Sequence, residues 1–255
     1  MSMKNTEVKF LSKPKLKKPI LIEGLPGMGY VGKLAVEHLL ETLHTRKFAE
    51  VMSPHFPHHV VVEEGGILRP LRNELHWTRL NGKDIVIWTG DVQPVSTEGH
   101  YEVVGRILDI IDKMGVKQIF TLGGYATGKY SETHPRVIGM GDFKLLDKVK
   151  GHGVSAEKGG GPIIGAAGVL LGLGRLRGIS GICLLGETHG MVVDHRAAQA
   201  VLDVLAGILK VKFDMSDLED RAKKTEDIIK RIRREMELRE QKAKHQDEEE
   251  ASYIG

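Results

Sequence analysis

The chain has 255 residues, of which 41% are hydrophobic and 28% charged, a composition typical of a folded globular protein and not of a disordered one. Its 37 Lys and Arg against 34 Asp and Glu give a formal net charge of +3, so no large basic field indicates nucleic acid as a partner. A single cysteine excludes an internal disulfide and a cysteine-rich zinc site. Since no apolar run approaches the ~20 residues of a membrane span, the sequence predicts a soluble cytoplasmic protein.

The first predicted elements form a strand, a glycine-rich turn and a helix. Residues 1–18 are a basic lead-in, mobile or an edge strand, and residues 19–23 are a short apolar run that ends at Gly24. From Tyr30 onward apolar residues recur at spacings of three and four, which predicts a helix. This order of elements is typical of the opening of an α/β unit.

Strands and three helices follow along the predicted α/β domain, residues 19–214. Strands are predicted at 48–53, around 60–70 and on both sides of an Asn81-Gly82 hairpin turn. The remaining predictions are a helix at 102–114, a strand from 117, an irregular stretch over 123–162, a helix at 164–173, a strand at 181–185 and a helix at 195–209.

The C-terminal part differs in kind, because its apolar residues form a narrow heptad seam on an otherwise charged helix predicted over 215–245. A capping box at Ser216 and Glu219 opens this helix. Such a seam docks on its own domain or on a neighbouring subunit, and its predicted oligomer-forming residues are Leu218, Ala222, Ile229, Ile232 and Met236. Residues 246–255 are predicted to be a flexible acidic tail, whose Tyr253 and Ile254 are either a docking peptide or a frayed end.

A glycine motif between the first strand and the first helix allows two interpretations. Residues 27–32 match the G-x-G-x-x-G pattern, in which glycines let the backbone approach a pyrophosphate at a helix N-terminus. A dinucleotide site also needs an acidic residue at the end of the next strand, and Pro54 and His55 stand there instead. A structural turn or interface loop is therefore favoured, and a nucleotide-binding loop stays open.

Other reactive residue types give weaker signals. His55, His58 and His59 lie in a proline-containing loop without a sign of a convergent metal cage, so no metal site is predicted. Cys183 falls within an apolar strand, where a buried, unreactive thiol is expected. No decisive pair of nucleophile and base is present, so no catalytic residues and no cofactor are predicted.

Polar residues and glycines gather where the predicted strands end. Because the carboxyl ends of parallel strands meet at one edge of a sheet, we expect these residues to form one ligand-binding or interface surface. The residues predicted for this surface are Gly24, Pro26, Gly27, Gly29, Gly32, Asp91, Gln93, Tyr125, Glu187 and His189.

Four motifs in order resemble the archaeal branch of the proteasome assembly chaperone family. They are PILIEGLPGMGYVGKLAVEHL, VIWTGDVQPVSTEGHYEVV, IFTLGGYATG and GPIIGAAGVLLGLGRLRGISGICLLGETHG, and the resemblance spans roughly residues 19–238. It implies a three-layer α/β/α sandwich of the phosphorylase/hydrolase-like type, completed here by the long C-terminal helix. Similar archaeal sequences carry an ATP-grasp-like label, but these residues show no such signature.

The resemblance further implies a non-enzymatic chaperone or scaffold that binds proteasome subunits, or another protein, and associates with itself, a closed ring being one possible form. Some relatives dock on the proteasome through a C-terminal hydrophobic–Tyr–any-residue peptide. Here Tyr253 is third from the end and follows Ser252, which departs from that pattern. The alternative is a nucleotide-binding enzyme that uses the Gly24–Gly32 loop.

Overall fold

A nine-stranded mixed β-sheet with helices on both faces forms the body of the protein in the computed structural model. The structure describes residues 4–128, 134–156, 160–228, 230, 231 and 234. In this part of the chain the strands are β1 (Glu7–Phe10), β2 (Ile20–Glu23), β3 (Arg46–Met52), β4 (Val60–Val62), β5 (Leu68–Pro70), β6 (Asn73–Leu80), β7 (Lys83–Gly90), β8 (Gln118–Ala126), β9 (Val137–Gly141), β10 (Val154–Ala156) and β11 (Ser180–Thr188). The helices are α1 (Val31–Thr42), α2 (Thr97–Lys113), α3 (Phe143–Val149), α4 (Ala166–Leu176) and α5 (His195–Leu209).

The large sheet has a parallel centre and antiparallel flanks. Its strand order is β1-β3-β6-β7-β2-β8-β11-β9-β10. Strands β7, β2, β8 and β11 run parallel to one another, whereas β1, β3 and β6 are joined in antiparallel pairs and β9 runs antiparallel to β11. The loops that follow the four central strands therefore emerge at the same edge.

Two apolar cores lie on the two faces of the sheet. One joins the sheet to α1, α3 and α5, and the other joins it to α2 and α4. Aliphatic side chains dominate both, with Trp88, Phe48 and Phe120 among the largest fully buried residues. The predicted α/β fold with helices on both sides of a sheet is confirmed.

Several predicted elements match the structure closely. Helix α5 has the predicted bounds, α1 begins at Val31, and the Asn81-Gly82 turn joins β6 to β7 with a positive φ at both residues. Helix α2 begins at Thr97, five residues before the predicted start, because the Ser96 side chain accepts a hydrogen bond from the N–H of Gly99 and caps it. The stretch expected to be irregular contains β9, α3 and β10, so that expectation was wrong.

The start of the C-terminal helix packs on the protein's own domain. Residues 216–228 are helical, and Leu218 and Ala222 are buried. The Asp214 carboxylate accepts hydrogen bonds from the backbone N–H and the hydroxyl of Ser216, so Asp214 supplies the cap that was predicted for Ser216. Three residues of the predicted oligomer seam, namely Ile229, Ile232 and Met236, lie outside the described residues, as does the tail with Tyr253 and Ile254.

Within the described residues, each helix is too short or too polar to span a bilayer.

Candidate functional site

The glycine-rich loop between β2 and α1 is held by hydrogen bonds to the chain itself. The backbone N–H of Gly29 donates to the carbonyl of Gly190, and the carbonyl of Gly29 accepts from the N–H of Asp194 at 2.9 Å. The next two N–H groups, those of Tyr30 and Val31, donate to carbonyls within the loop. A phosphate loop directs such N–H groups at its ligand, whereas these three already donate within the chain.

The glycines of this loop make room for protein backbone. A Cβ on Gly32 would lie 2.1 Å from the carbonyl oxygen of Leu122 in β8, and one on Gly24 would lie 2.2 Å from the carbonyl oxygen of Gly32. Gly29 has a φ of 60°, which only glycine adopts without strain. The motif therefore serves close packing of α1 on the sheet, which favours the structural-turn interpretation over the nucleotide loop.

Gln93 joins the glycine-rich loop to a second helix. Its side-chain amide donates to the carbonyl of Pro26 at 2.7 Å, and its side-chain oxygen accepts from the N–H of Ala166 at the start of α4 at 2.9 Å. Gly27 lies beside the same side chain. The structure thus brings Pro26, Gly27 and Gln93 together, and the Gln93 side chain connects two loops by hydrogen bonds.

Asp91 lies at the same edge, where its carboxylate is paired with an arginine side chain. Its carboxylate accepts hydrogen bonds from both terminal nitrogens of Arg69, at 2.6 and 3.0 Å, and from the backbone N–H of Arg72. Burial acts to raise the pKa of Asp91, but these hydrogen bonds outweigh it and hold the pKa below its ordinary value. Asp91 is an ionised anchor for the β4–β5 hairpin.

Tyr125, Glu187 and His189 stand at the ends of the neighbouring strands β8 and β11. Tyr125 and Glu187 are partners in the parallel register, and Glu187 forms an ion pair with Arg136 at 2.6 Å. The Nδ1 atom of His189 is buried and has no hydrogen-bond partner within the described part of the chain. The four central strands bring all the predicted edge residues to one side of the sheet.

Exposed apolar side chains occupy the tips of these loops, and the sequence interpretation did not identify them as a group. The segments that carry them are tied together by the Gly29–Gly190 and Gly29–Asp194 hydrogen bonds, and Gly124 packs against the carbonyl of Met28. We call this group the apolar edge, and it consists of Met28, Tyr30, Tyr125, Met191, Val192 and Val193. Grouped exposed apolar residues on a folded protein are typical of interaction surfaces.

A buried polar row crosses the sheet beneath this edge. Glu23, Thr121 and Cys183 are register partners on β2, β8 and β11, and all three are buried. Burial raises the pKa of Glu23 to about 8, although a hydrogen bond from the N–H of Leu25 opposes the rise. Burial also raises the pKa of Cys183 to about 12, so this thiol is not a nucleophile. The sequence did not indicate Glu23 as a site residue, because it ends an apolar run that is typical of an ordinary strand.

Of the three loop histidines, one is paired with a carboxylate and two are exposed. The Nε2 atom of His55 lies 2.9 Å from a carboxylate oxygen of Glu102, while His58 and His59 are exposed. This arrangement gives His55 the role of fixing its loop to α2.

The fold and the packed glycine loop define an α/β protein built like a group of archaeal proteasome-associated proteins. The crystal structure of Pyrococcus furiosus PbaB, an archaeal proteasome activator, matches with a TM-score of 0.86 and 41% identity over 91% of this chain and 100% of that one. The structure of P. furiosus PbaA, an archaeal homolog of proteasome-assembly chaperone, matches with a TM-score of 0.75 and 28% identity over 95% and 98% of the two chains.

Sequence comparison gives the family directly. An uncharacterized protein of Methanocaldococcus jannaschii is 38% identical over 243 residues, which cover 94% of this chain and 93% of its own length. The model of the PAC2 family matches residues 21–233. The chain belongs to the PAC2 family, and the predicted membership of the proteasome assembly chaperone group is confirmed.

Proposed function

We propose that this protein binds the proteasome core particle and stimulates it. The observation that carries the proposal is the 41% identity to PbaB along 91% of the chain, compared with 28% to PbaA. The greater likeness to a proteasome activator favours action on the assembled particle over the assembly-chaperone role that the sequence suggested. In either role the protein works in the cytoplasm as a protein-binding, non-enzymatic partner.

The apolar edge is the surface that we assign to this contact. Six large apolar side chains are exposed on loops that the central strands and Gln93 hold in place, so little conformational entropy is lost on binding. A nucleotide-binding enzyme is the second candidate function. It is less favoured because the N–H groups of Gly29, Tyr30 and Val31 donate within the chain.

The test is peptide hydrolysis by a purified archaeal core proteasome with and without the full-length protein. We expect faster hydrolysis and co-elution of the two on gel filtration. The single variants Met28→Glu and Met191→Glu should weaken both effects, because they place charge on the apolar edge. The matched control is Leu176→Glu, since Leu176 is as exposed as Met191, 84% against 87%, but ends α4 at the opposite side of the sheet.

Four outcomes would contradict parts of the proposal. An unchanged hydrolysis rate without co-elution would refute proteasome binding. Binding to free α-subunits alone would restore the assembly-chaperone role. Equal loss in Leu176→Glu would remove the assignment of the apolar edge. A rise in melting temperature with NAD or ATP would favour the nucleotide alternative, because a ligand specific to the folded state stabilises it.

We also propose self-association through the C-terminal region. Leu218 and Ala222 face the protein's own core, whereas Ile228, ten residues along the same helix from Leu218, is exposed. Removing residues 229–255 leaves the packed part of the helix intact, so we expect a smaller particle mass by light scattering while the α/β domain keeps its unfolding temperature. An unchanged mass would exclude this region as the oligomer contact.

A further inference from the structure

A cluster of potential metal ligands joins α1 to the start of the C-terminal helix. One ring nitrogen of His38 and one carboxylate oxygen each of Glu41 and Asp217 lie within 4.8 Å of one another. His38 and Glu41 share a face of α1 because they are three residues apart, and Asp217 lies in the first turn of the helix over 216–228. Neither the family nor the edge described above accounts for this grouping.

His38 has the environment of a metal-binding histidine. Its side chain is almost fully buried, with 3% of the residue exposed, and its Nε2 atom lies 2.5 Å from the carbonyl oxygen of Asp214. Because a carbonyl only accepts, Nε2 carries the proton and Nδ1 keeps a lone pair. Nδ1 is buried and has no hydrogen-bond partner among the residues that the structure describes. Metal-binding histidines donate their other ring N–H to a backbone carbonyl in this manner.

The two carboxylates can move to complete a coordination shell. Both side chains are about half exposed, and ligand atoms around a metal bound at ~2.1 Å lie about 3 to 3.5 Å apart, so small rotations suffice. Arg221 stands between them, 2.8 Å from an Asp217 oxygen and 3.5 Å from a Glu41 oxygen. The guanidinium occupies the place of a cation, and its own partial exposure lets it turn outward.

We propose that His38, Glu41 and Asp217 bind a divalent transition metal ion such as Zn²⁺, which clamps the C-terminal helix to α1. One imidazole and two carboxylates suit Zn²⁺, Mn²⁺ or Co²⁺ better than Mg²⁺ or Ca²⁺, which prefer oxygen ligands alone. Three protein ligands leave one coordination position for water or for a side chain of a partner. Arg221 is the internal competitor for the two carboxylates, so metal binding releases it.

The test is titration of the full-length protein with Zn²⁺ by calorimetry and with Co²⁺ by visible absorption. We expect saturable binding of one ion per chain and a higher melting temperature in Zn²⁺ than in Mg²⁺. The double variant Glu41→Gln/Asp217→Asn should weaken binding by about tenfold or more. Glu37→Gln is the matched control, because Glu37 is an exposed carboxylate on the same helix that pairs with Lys33.

Arg221→Met separates this site from adventitious binding by other histidines. Removing the competitor should tighten Zn²⁺ binding, whereas binding at the exposed His58 and His59 would not change. The proposal is overturned by the absence of saturable binding, by full binding in the double variant, or by an Arg221→Met affinity that is equal to or weaker than that of the unmodified protein.

Discussion

The parallel centre and the antiparallel flank of the sheet are stabilised in different ways. In the centre, Gly24 and Gly32 allow two backbone segments to pack closely, and one carboxylate oxygen of the buried Glu23 has no hydrogen-bond partner among the described residues. In the flank, Glu74 on β6 lies among Lys47, Arg72 and His76, at distances of 2.7 to 3.1 Å. The centre therefore depends on exact steric fit, whereas the flank depends on compensated charge.

This difference explains where an interaction surface is found. The glycine-rich loop after β2 has few degrees of freedom, because Gly24, Gly29 and Gly32 each lie against a particular carbonyl or side chain. A rigid backbone is what an exposed apolar group needs in order to bind a partner without first being ordered. The flank is held instead by ion pairs, such as those of Glu74 with Lys47 and Arg72.

The largest expected effect is a steric one in the centre, from Gly32→Ala. The added Cβ would lie 2.1 Å from the Leu122 carbonyl oxygen, and that oxygen belongs to a central strand that cannot yield. We expect a loss of about 4 kcal/mol in the free energy of unfolding, or failure to fold, which is at the upper end of overpacking effects. Guanidinium unfolding followed by circular dichroism measures it.

Gly105→Ala is the control for that substitution. Gly105 lies within α2, and nothing stands within 4 Å of an added Cβ. Alanine should raise the free energy of unfolding by about 0.5 to 1 kcal/mol, because it lowers the backbone entropy of the unfolded chain. If the two alanine variants were equally stable, the close packing of α1 on β8 would be refuted.

The second effect tests the buried carboxyl group of Glu23, through Glu23→Gln. The pKa of Glu23 is about 8 in the folded protein, above its ordinary value, so the folded state binds the proton more tightly than the unfolded state. The resulting stability is complete below about pH 4.5 and is lost as pH rises toward 8. We expect the unmodified protein to lose on the order of 3 kcal/mol across this window, while Glu23→Gln stays nearly flat.

Denaturant unfolding at pH 5, 6.5 and 8 gives the measurement. The variant should become the more stable of the two at pH 8, because glutamine cannot ionise and still accepts the hydrogen bond from Leu25. Parallel stability curves for the two proteins would show that Glu23 keeps an ordinary pKa.

The sequence predicted the elements that have local signals better than the elements that depend on long-range pairing. Helix α5 and the turn at Asn81 and Gly82 depend on local signals, namely apolar spacing and a turn dipeptide, and both were found. Strand β9 (Val137–Gly141) was missed because it is short and glycine-rich, and its identity comes from pairing with β11, some forty residues later. Pairing with a distant strand does not produce a periodic pattern of apolar residues in so short a segment.

The edge residues were grouped correctly in space, but their roles were not predicted. Parallel strands dictate that Gln93, Tyr125 and Glu187 lie along the same edge of the sheet, whereas the pairing of Arg69 with Asp91 is visible only in the structure. The apolar edge was missed because Met28 and Met191 are more than 160 positions apart. The hydrogen bond from Gly29 to Gly190 brings them together, and neither glycine signals it.

The smallest effect concerns the flank, through Glu74→Gln. Burial acts to raise the pKa of Glu74, but hydrogen bonds from His76, Lys47 and Arg72 outweigh it and hold the pKa well below its ordinary value. The stability that this carboxylate provides is therefore complete above about pH 4.5 and is lost as pH falls through the lower folded pKa. At pH 7 glutamine should cost about 2 kcal/mol, because it leaves three donors around a neutral group.

The control for this charge is Glu219→Gln, whose exposed pair with Lys223 is 3.6 Å long and should contribute less than about 0.5 kcal/mol. Acid unfolding of Glu74→Gln should also begin from a lower stability and fall less steeply below pH 4.5. The opposite signs of the pH dependence at Glu23 and Glu74 are the sharpest form of the contrast, because both residues are glutamates in the same sheet. If acidification changed the free energy of unfolding of both variants in the same direction, neighbouring cations would not explain the difference between the flank and the centre.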